Sequence, residues 1–324
     1  MKLKHIISAL VCATGVVATT GGMAQSYPSG PVRMVVPYPP GGGADAAGRI
    51  ISQALTESLG QQVVVDNRPG ASGRIGTELA AKATADGYTL LLGNVGPNAI
   101  IPGSYPKLPY NQAKDFAPIS MVASTDYMLV VHPSFPVRTI KDLIAMAKRN
   151  PGKINFASTG VLGGPHLAGE LLKVMTHIDI VHVPYKGGGA AVTGILGGEV
   201  EMIFGSAPTV VPHVKAGRLR AIATTGQKRT DAVPDVPIIA ETLPGYEVSQ
   251  WYGVLAPAGT PPAIVKRLHA EIVAATKRPK VMQQFEKVGA TATSSASPDA
   301  FARHILKEMQ KWGDVVRKSG VPVD

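Results

Sequence analysis

The segment Val-Pro-Tyr-Pro-Pro-Gly-Gly-Gly at 36–43 has a counterpart, Val-Pro-Tyr-Lys-Gly-Gly-Gly, at 183–189. Each follows an apolar, β-branched run and precedes an Ala-rich stretch with helical spacing. A strand, a glycine loop and a helix start together present backbone N–H groups to an anion at the edge of an open α/β sheet. Two such units far apart in one chain predict two α/β domains facing each other. The cleft between them suits a small acid.

The N-terminus reads as an export signal. Lys2 and Lys4 supply a basic flank, residues 6–18 a short apolar run, and Gly22-Met23-Ala24 a small-residue exit. The run is too short for a membrane span, and the order of the three features argues against an N-terminal core helix. Cleavage is expected after Ala24, which makes residues 1–24 the signal peptide and Gln25 the first mature residue. Cys12 is the only cysteine. Val11 before it is too bulky for a lipoprotein cleavage site. The mature chain therefore folds without disulfides, which its length allows.

Composition narrows the partners. At 324 residues, 45% hydrophobic and 17% charged, the chain has a globular profile and a length that favours two domains. The net charge is +10, with Lys2 and Lys4 contributing two of those charges. The basic residues are scattered, and aromatic content is 5%, which leaves few platforms for stacking bases. A small anionic ligand fits this pattern better than nucleic acid or a membrane surface.

Strand and helix signals alternate along the chain. Strands are expected at 33–36, 63–65, 88–92, 128–131, 154–157, 180–183, 202–204, 219–223 and 251–256. Helices are expected at 46–59, 75–83, 139–149, 264–276, 281–288 and 298–318, with others between the later strands. The Pro-rich stretch 102–118 reads as a connection. Such alternation predicts a mostly parallel sheet covered on both faces.

Several motifs, taken in order, carry a family resemblance. They are Val36-Pro-Tyr-Pro-Pro-Gly-Gly-Gly-Ala-Asp45, Asp66-Asn-Arg-Pro-Gly-Ala-Ser-Gly73, Asp86-Gly-Tyr-Thr-Leu-Leu-Leu-Gly93 and Phe156-Ala-Ser-Thr-Gly160. Gly164-Pro-His-Leu-Ala-Gly-Glu170, His182-Val-Pro-Tyr-Lys-Gly187, Pro234-Asp-Val-Pro237 and the stretch 251–261 complete the set. With a signal peptide before them, they make the chain resemble the periplasmic receptors of tripartite tricarboxylate transport systems, the Bug-type receptors. The resemblance implies an α/β, two-domain periplasmic-binding-protein fold of the Venus-flytrap kind. One domain would comprise 27–126 plus 250–324 and the other 127–249, with crossover strands at 127–131 and 251–255. It also implies a periplasmic, monomeric, non-enzymatic receptor with no cofactor and no metal. Its partners would be a small carboxylate and the membrane permease subunits of the transporter.

The same resemblance seats a ligand carboxylate on Gly41, Gly42, Gly43, Ala44 and Asp45. Glycine allows close approach there, and the following helix start is electropositive. Asp45 itself is expected to cap the helix in preference to touching the ligand. Ala44 stands where many relatives carry a hydroxyl. Asn94 and Asn98 can donate to an acid or simply shape a turn. The second domain would supply Ser158, Thr159, Gly160 and Gly164, with His166 more structural than functional in its ring. Tyr185 and Gly187 belong to the paired glycine loop, Lys186 is expected to be solvated, and Ser206 follows a strand that ends near the cleft. Trp251 is expected to pack at the crossover.

One rival chemistry survives at this level. Gly41-x-Gly43-x-x-Ala46 satisfies the short dinucleotide pattern, and Asp66 ends the next strand. The alternative is an exported dinucleotide-dependent oxidoreductase, weakened by Pro39-Pro40 between strand and glycines. The sequence has no Gly-Lys-Ser/Thr phosphate loop, no Gly-x-Ser-x-Gly elbow and no His-Glu-x-x-His.

Overall fold

A computed structural model describes residues 27–230 and 233–323. The expected signal peptide and its cleavage point lie outside the described residues. The chain begins with β1 (Val32–Val36), α1 (Gly43–Leu59), β2 (Val63–Asn67), α2 (Arg74–Ala81), β3 (Thr89–Asn94) and a single turn, α3 (Ile101–Ser104). A long strand, β4 (Phe116–Val131), leads into α4 (Ile140–Arg149), β5 (Asn155–Ser158), α5 (Gly164–Thr176), β6 (Val181–Pro184), α6 (Gly188–Leu196), β7 (Met202–Ser206), α7 (Ala207–Lys215) and β8 (Arg220–Thr224). The return strand β9 (Ser249–Pro257) precedes α8 (Pro262–Thr276), α9 (Pro279–Lys287), β10 (Thr291–Ala292) and α10 (Pro298–Ser319).

The strands pair in the order β2-β1-β3-β9-β4-β7-β5-β6, with β8 and β10 also on β4. Pairing is parallel within each wing, β1 with β2 and β3, and β5 with β6 and β7. It turns antiparallel wherever β4 or β9 takes part. The sheet is therefore mixed, because a chain that leaves one wing and returns must run the two linking strands in opposite directions. β4 changes partners along its length. Phe116–Asp126 pairs with β9, whereas Tyr127–Val131 pairs with β7 and β8.

Residue alternation explains why both faces are covered. On β1, Val32, Met34 and Val36 pack toward α1, α8 and α9, while Val35 points to the opposite layer. On β4, Met128 and Val130 join Val192, Ile195 and Val210 of α6 and α7, while Leu129 and Val131 join Leu143 of α4 and Leu167 of α5. Both sides are buried, so these strands read as nearly continuous apolar runs.

Local chemistry sets the helix ends. Gly60, at φ 70°, closes α1 and donates its N–H to the Thr56 carbonyl. A capping box between Thr139 and Asp142 opens α4. The three C-terminal helices all begin with proline at Pro262, Pro279 and Pro298, where its missing N–H would be unpaired anyway.

The stretch expected to be a connection differs. Pro102 sits in the first turn of α3, and Pro118 lies inside β4. Proline is tolerated at Pro118 because the register of β4 against β9 shifts between Pro118 and Ser120, and a bulge needs no ladder donor at that point. The helix expected from residue 46 begins at Gly43, inside the glycine run.

Candidate functional site

Four helices open onto one cavity. α1 starts there with Gly42 as N-cap, α5 with Gly163, α6 with Gly187 and α7 with Ser206. None of these N-caps has a side-chain capping hydrogen bond, which leaves first-turn N–H donors unclaimed by the protein's side chains. Tyr38, Asn94, Tyr127, Thr159, Ile203, Thr209, Gln250 and Tyr252 add to the walls, and among the described residues no charged side chain lines the cavity. About 620 Å³ of atom-free space lies here, open solvent at its mouth included.

The first glycine loop is held from behind. Gly41 adopts φ 85°, which favours glycine. Asp45 Oδ2 accepts from the Gly41 N–H at 3.1 Å and from Arg49 Nε at 3.0 Å, and its Oδ1 accepts from Asn67 Nδ2 at 3.1 Å. Burial alone would raise the Asp45 carboxyl pKa. The hydrogen bonds from Arg49, Gly41 and Asn67 outweigh it and hold the group below the ordinary value. Asp45 thus fastens the loop from outside the cavity wall.

The cavity's inner end is a polar chain. Tyr127 donates its hydroxyl to Gln250 Oε1 at 2.7 Å. Tyr252 hydrogen-bonds with Gln250 and Ser206, and Ser206 Oγ lies 2.7 Å from Thr209 Oγ1. Burial raises the Tyr127 pKa well above its usual value and pushes Tyr252 up to about 12, so both hydroxyls stay protonated. Gly164 and Gly43 both press against this chain, Gly164 against the Tyr127 hydroxyl and Gly43 against Tyr252 and Ser206. A Cβ on Gly43 would lie 2.5 Å from the Tyr252 hydroxyl and 2.8 Å from Ser206 Oγ.

Seven of the residues expected at the site line this cavity: Gly42, Gly43, Ala44, Asn94, Thr159, Gly164 and Ser206. Gly160, Tyr185 and Gly187 instead wall a second opening beside it, which shares Tyr38, Pro39 and Thr159. Asn98 is fully buried and does not reach the cavity. Its Oδ1 accepts from the Asn94 N–H at 3.0 Å, and its Nδ2 donates to Gln112 at 2.8 Å. Ser158 is buried behind its own turn, where its hydroxyl donates to the Gly160 carbonyl at 3.0 Å and lies 2.5 Å from His182 Nε2. His166 stacks on His182 with ring centroids 3.8 Å apart and accepts from the Leu162 N–H at 3.0 Å. These two side chains brace the loop that carries Thr159 and Gly164.

The polar side chains missed are Tyr38, Tyr127, Thr209, Gln250 and Tyr252. A signal for two of them was present. Trp251 is buried against Phe301, ring centroids 5.4 Å apart, so its neighbours on the strand must point to the opposite face. That face carries the cavity.

The profile of the tripartite tricarboxylate transporter family receptor, TctC, matches residues 47–321. The chain belongs to this family. The receptor is 39% identical to Protein BugT of Bordetella pertussis over 321 residues, covering 98% of each chain. It is similar to R. palustris Rpa4515, solved with adipate, at a TM-score of 0.87 and 34% identity over 91% of this chain and 98% of that one. It is also similar to MatC of Rhodopseudomonas palustris, solved with bound malate, at a TM-score of 0.84 and 29% identity over 90% and 100% of the two chains.

These are transport receptors of a periplasmic binding-protein family, not enzymes, and the oxidoreductase alternative falls with that assignment. The geometry agrees. Asp66, which would have to bind a ribose, is engaged by Arg33 Nε at 2.6 Å and Arg68 Nε at 2.9 Å.

Proposed function

We propose that this receptor captures a small dicarboxylate between two lobes and delivers it to the membrane components of a tripartite tricarboxylate transporter. The lobes are residues 27–126 plus 250–324, and residues 127–249. The convergence of four helix N-termini on a cavity that, among the described residues, has no charged side chain supports this reading most strongly. Each N-terminus carries a partial positive charge and free N–H donors. A carboxylate therefore finds fixed donors without a buried lysine or arginine, which would need its own counter-ion once the ligand leaves.

The ligand end on Gly42, Gly43 and Ala44 belongs to the first lobe, and the donors at Gly164, Gly188 and Ser206 belong to the second. Only a closed arrangement lets one molecule touch both, so binding energy becomes closure energy. Adipate in Rpa4515 and malate in MatC suggest the size class. Export through the N-terminal signal would place the receptor in the periplasm. A thermal-shift screen of refolded, ligand-free protein against C4 to C8 dicarboxylates, monocarboxylates and NAD tests this. Dicarboxylates should raise the melting temperature and NAD should not; a shift with NAD alone would reject the reading.

A further inference from the structure

Two loops meet at the lips of the cleft, outside the cavity itself. From one side comes the turn Ala71–Gly73, from the other the loop that follows β5. Ser72 Oγ donates to the Val161 carbonyl at 2.8 Å. Both loops are strained where they touch. Ala71 and Ser72 adopt φ 48° and 56°, and Leu162 adopts φ 55°, a region that non-glycine residues rarely occupy. Gly160, at φ 126°, faces Ser72 so closely that a Cβ would lie 2.6 Å from Ser72 Oγ. The contact also communicates inward, because Tyr38, a cavity wall, donates its hydroxyl to the Ser72 carbonyl at 3.2 Å.

We infer that Ser72 is a retention residue: its bond to Val161 latches the closed receptor and sets how long any ligand stays. The inference rests on the two-lobe reading above. Ser72 does not line the cavity, so its effect must pass through the equilibrium between open and closed states. A ligand-binding side chain would affect different ligands unequally. A latch slows the release of every ligand by the same factor, because the bond it makes is the same whatever is inside.

Ser72→Ala and Ser72→Gly test this together. Both remove the hydroxyl, but glycine relieves the left-handed backbone and alanine does not. The expected cysteine-free mature chain accepts a spin-label pair at Lys82→Cys and Lys141→Cys, both exposed and on opposite lobes. In ligand-free protein, both Ser72 variants should raise the open-to-closed ratio by about 3- to 10-fold, the range for losing one hydrogen bond. Adipate and malate release, followed by stopped flow, should accelerate by that same factor. An unchanged distance distribution, or release of one acid accelerated and the other not, would overturn the latch. Failure of the parent protein to bind either acid would instead count against the proposed ligand class, and the distance measurement would still decide the latch.

Discussion

The Tyr127 hydroxyl donates to Gln250 Oε1 at 2.7 Å, and the two residues stand on β4 and β9, the strands that link the wings. They are 123 residues apart in sequence. The hydrogen bond therefore ties the two linking strands at the inner end of the cavity, where Tyr252 and Ser206 continue the polar chain.

Removing that donor should be felt in both stability and binding. Tyr127→Phe leaves Gln250 Oε1 buried without its partner, which costs about 1–3 kcal/mol. Urea denaturation should show a lower midpoint with an unchanged slope. Calorimetry should show weaker dicarboxylate binding in the same variant. A midpoint equal to the parent's would mean that the bond carries no net stability.

Gly43→Val should separate folding from closure. A side chain there meets Tyr252 and Ser206 and covers the α1 N-terminus. The loss of two or three charge-assisted hydrogen bonds, at about 1.5–3 kcal/mol each, abolishes measurable binding. Circular dichroism should remain that of the parent, and small-angle scattering should show no compaction with adipate. Retained affinity would remove this helix start from the site.

His182 gives the receptor an acid-sensitive component. Burial, reinforced by His166, lowers its pKa to about 3 from the ordinary 6.5. The folded state keeps it neutral, whereas the unfolded chain takes up a proton below 6.5. Its contribution is thus complete above that value and is lost as pH falls from 6.5 toward 3, with a slope approaching about 1.4 kcal/mol per pH unit. His182→Gln should flatten the stability profile across that window, read as urea midpoints between pH 7.5 and 4. A profile unchanged by the substitution would contradict this assignment.

Asp126 acts in the opposite direction. It sits where β4 changes partners, and burial, with Glu247 adding repulsion, raises its carboxyl pKa to about 6. Keeping it ionised in the folded state is unfavourable, so the penalty is present at neutral pH and disappears as pH falls from about 6 toward 3.8. Asp126→Asn should raise the urea midpoint at pH 7.5 and leave it nearly unchanged at pH 3.5. Equal effects at both values would contradict the ionisation argument.

Much of this architecture was legible in the chain. The runs around Met34, Leu91 and Ile203 are apolar because both faces of the sheet are buried, and the glycine loops mark strand ends by their turn chemistry. The full length of β4 was hidden because Ser120, Ser124, Thr125 and Asp126 interrupt its pattern and Pro118 sits in a bulge. Side-chain direction was harder still. Asn98, Ser158 and His166 lie within or beside loops that reach the cavity, yet each points into a supporting hydrogen-bond network. Gln250 and Tyr252 were legible only indirectly, through the alternation that a packed Trp251 imposes on β9.

A cavity walled by four helix N-termini is expected to bind a dicarboxylate through both of its carboxylates. Isothermal titration of refolded, ligand-free receptor with adipate and malate, each alongside its monomethyl ester, tests it most directly. Saturable binding of a diacid is the predicted result, weakened at least about tenfold, or about 1.4 kcal/mol, when one carboxylate is masked as an ester. Equal affinity for diacid and ester, or no heat with any dicarboxylate in a C4 to C8 series, would contradict it.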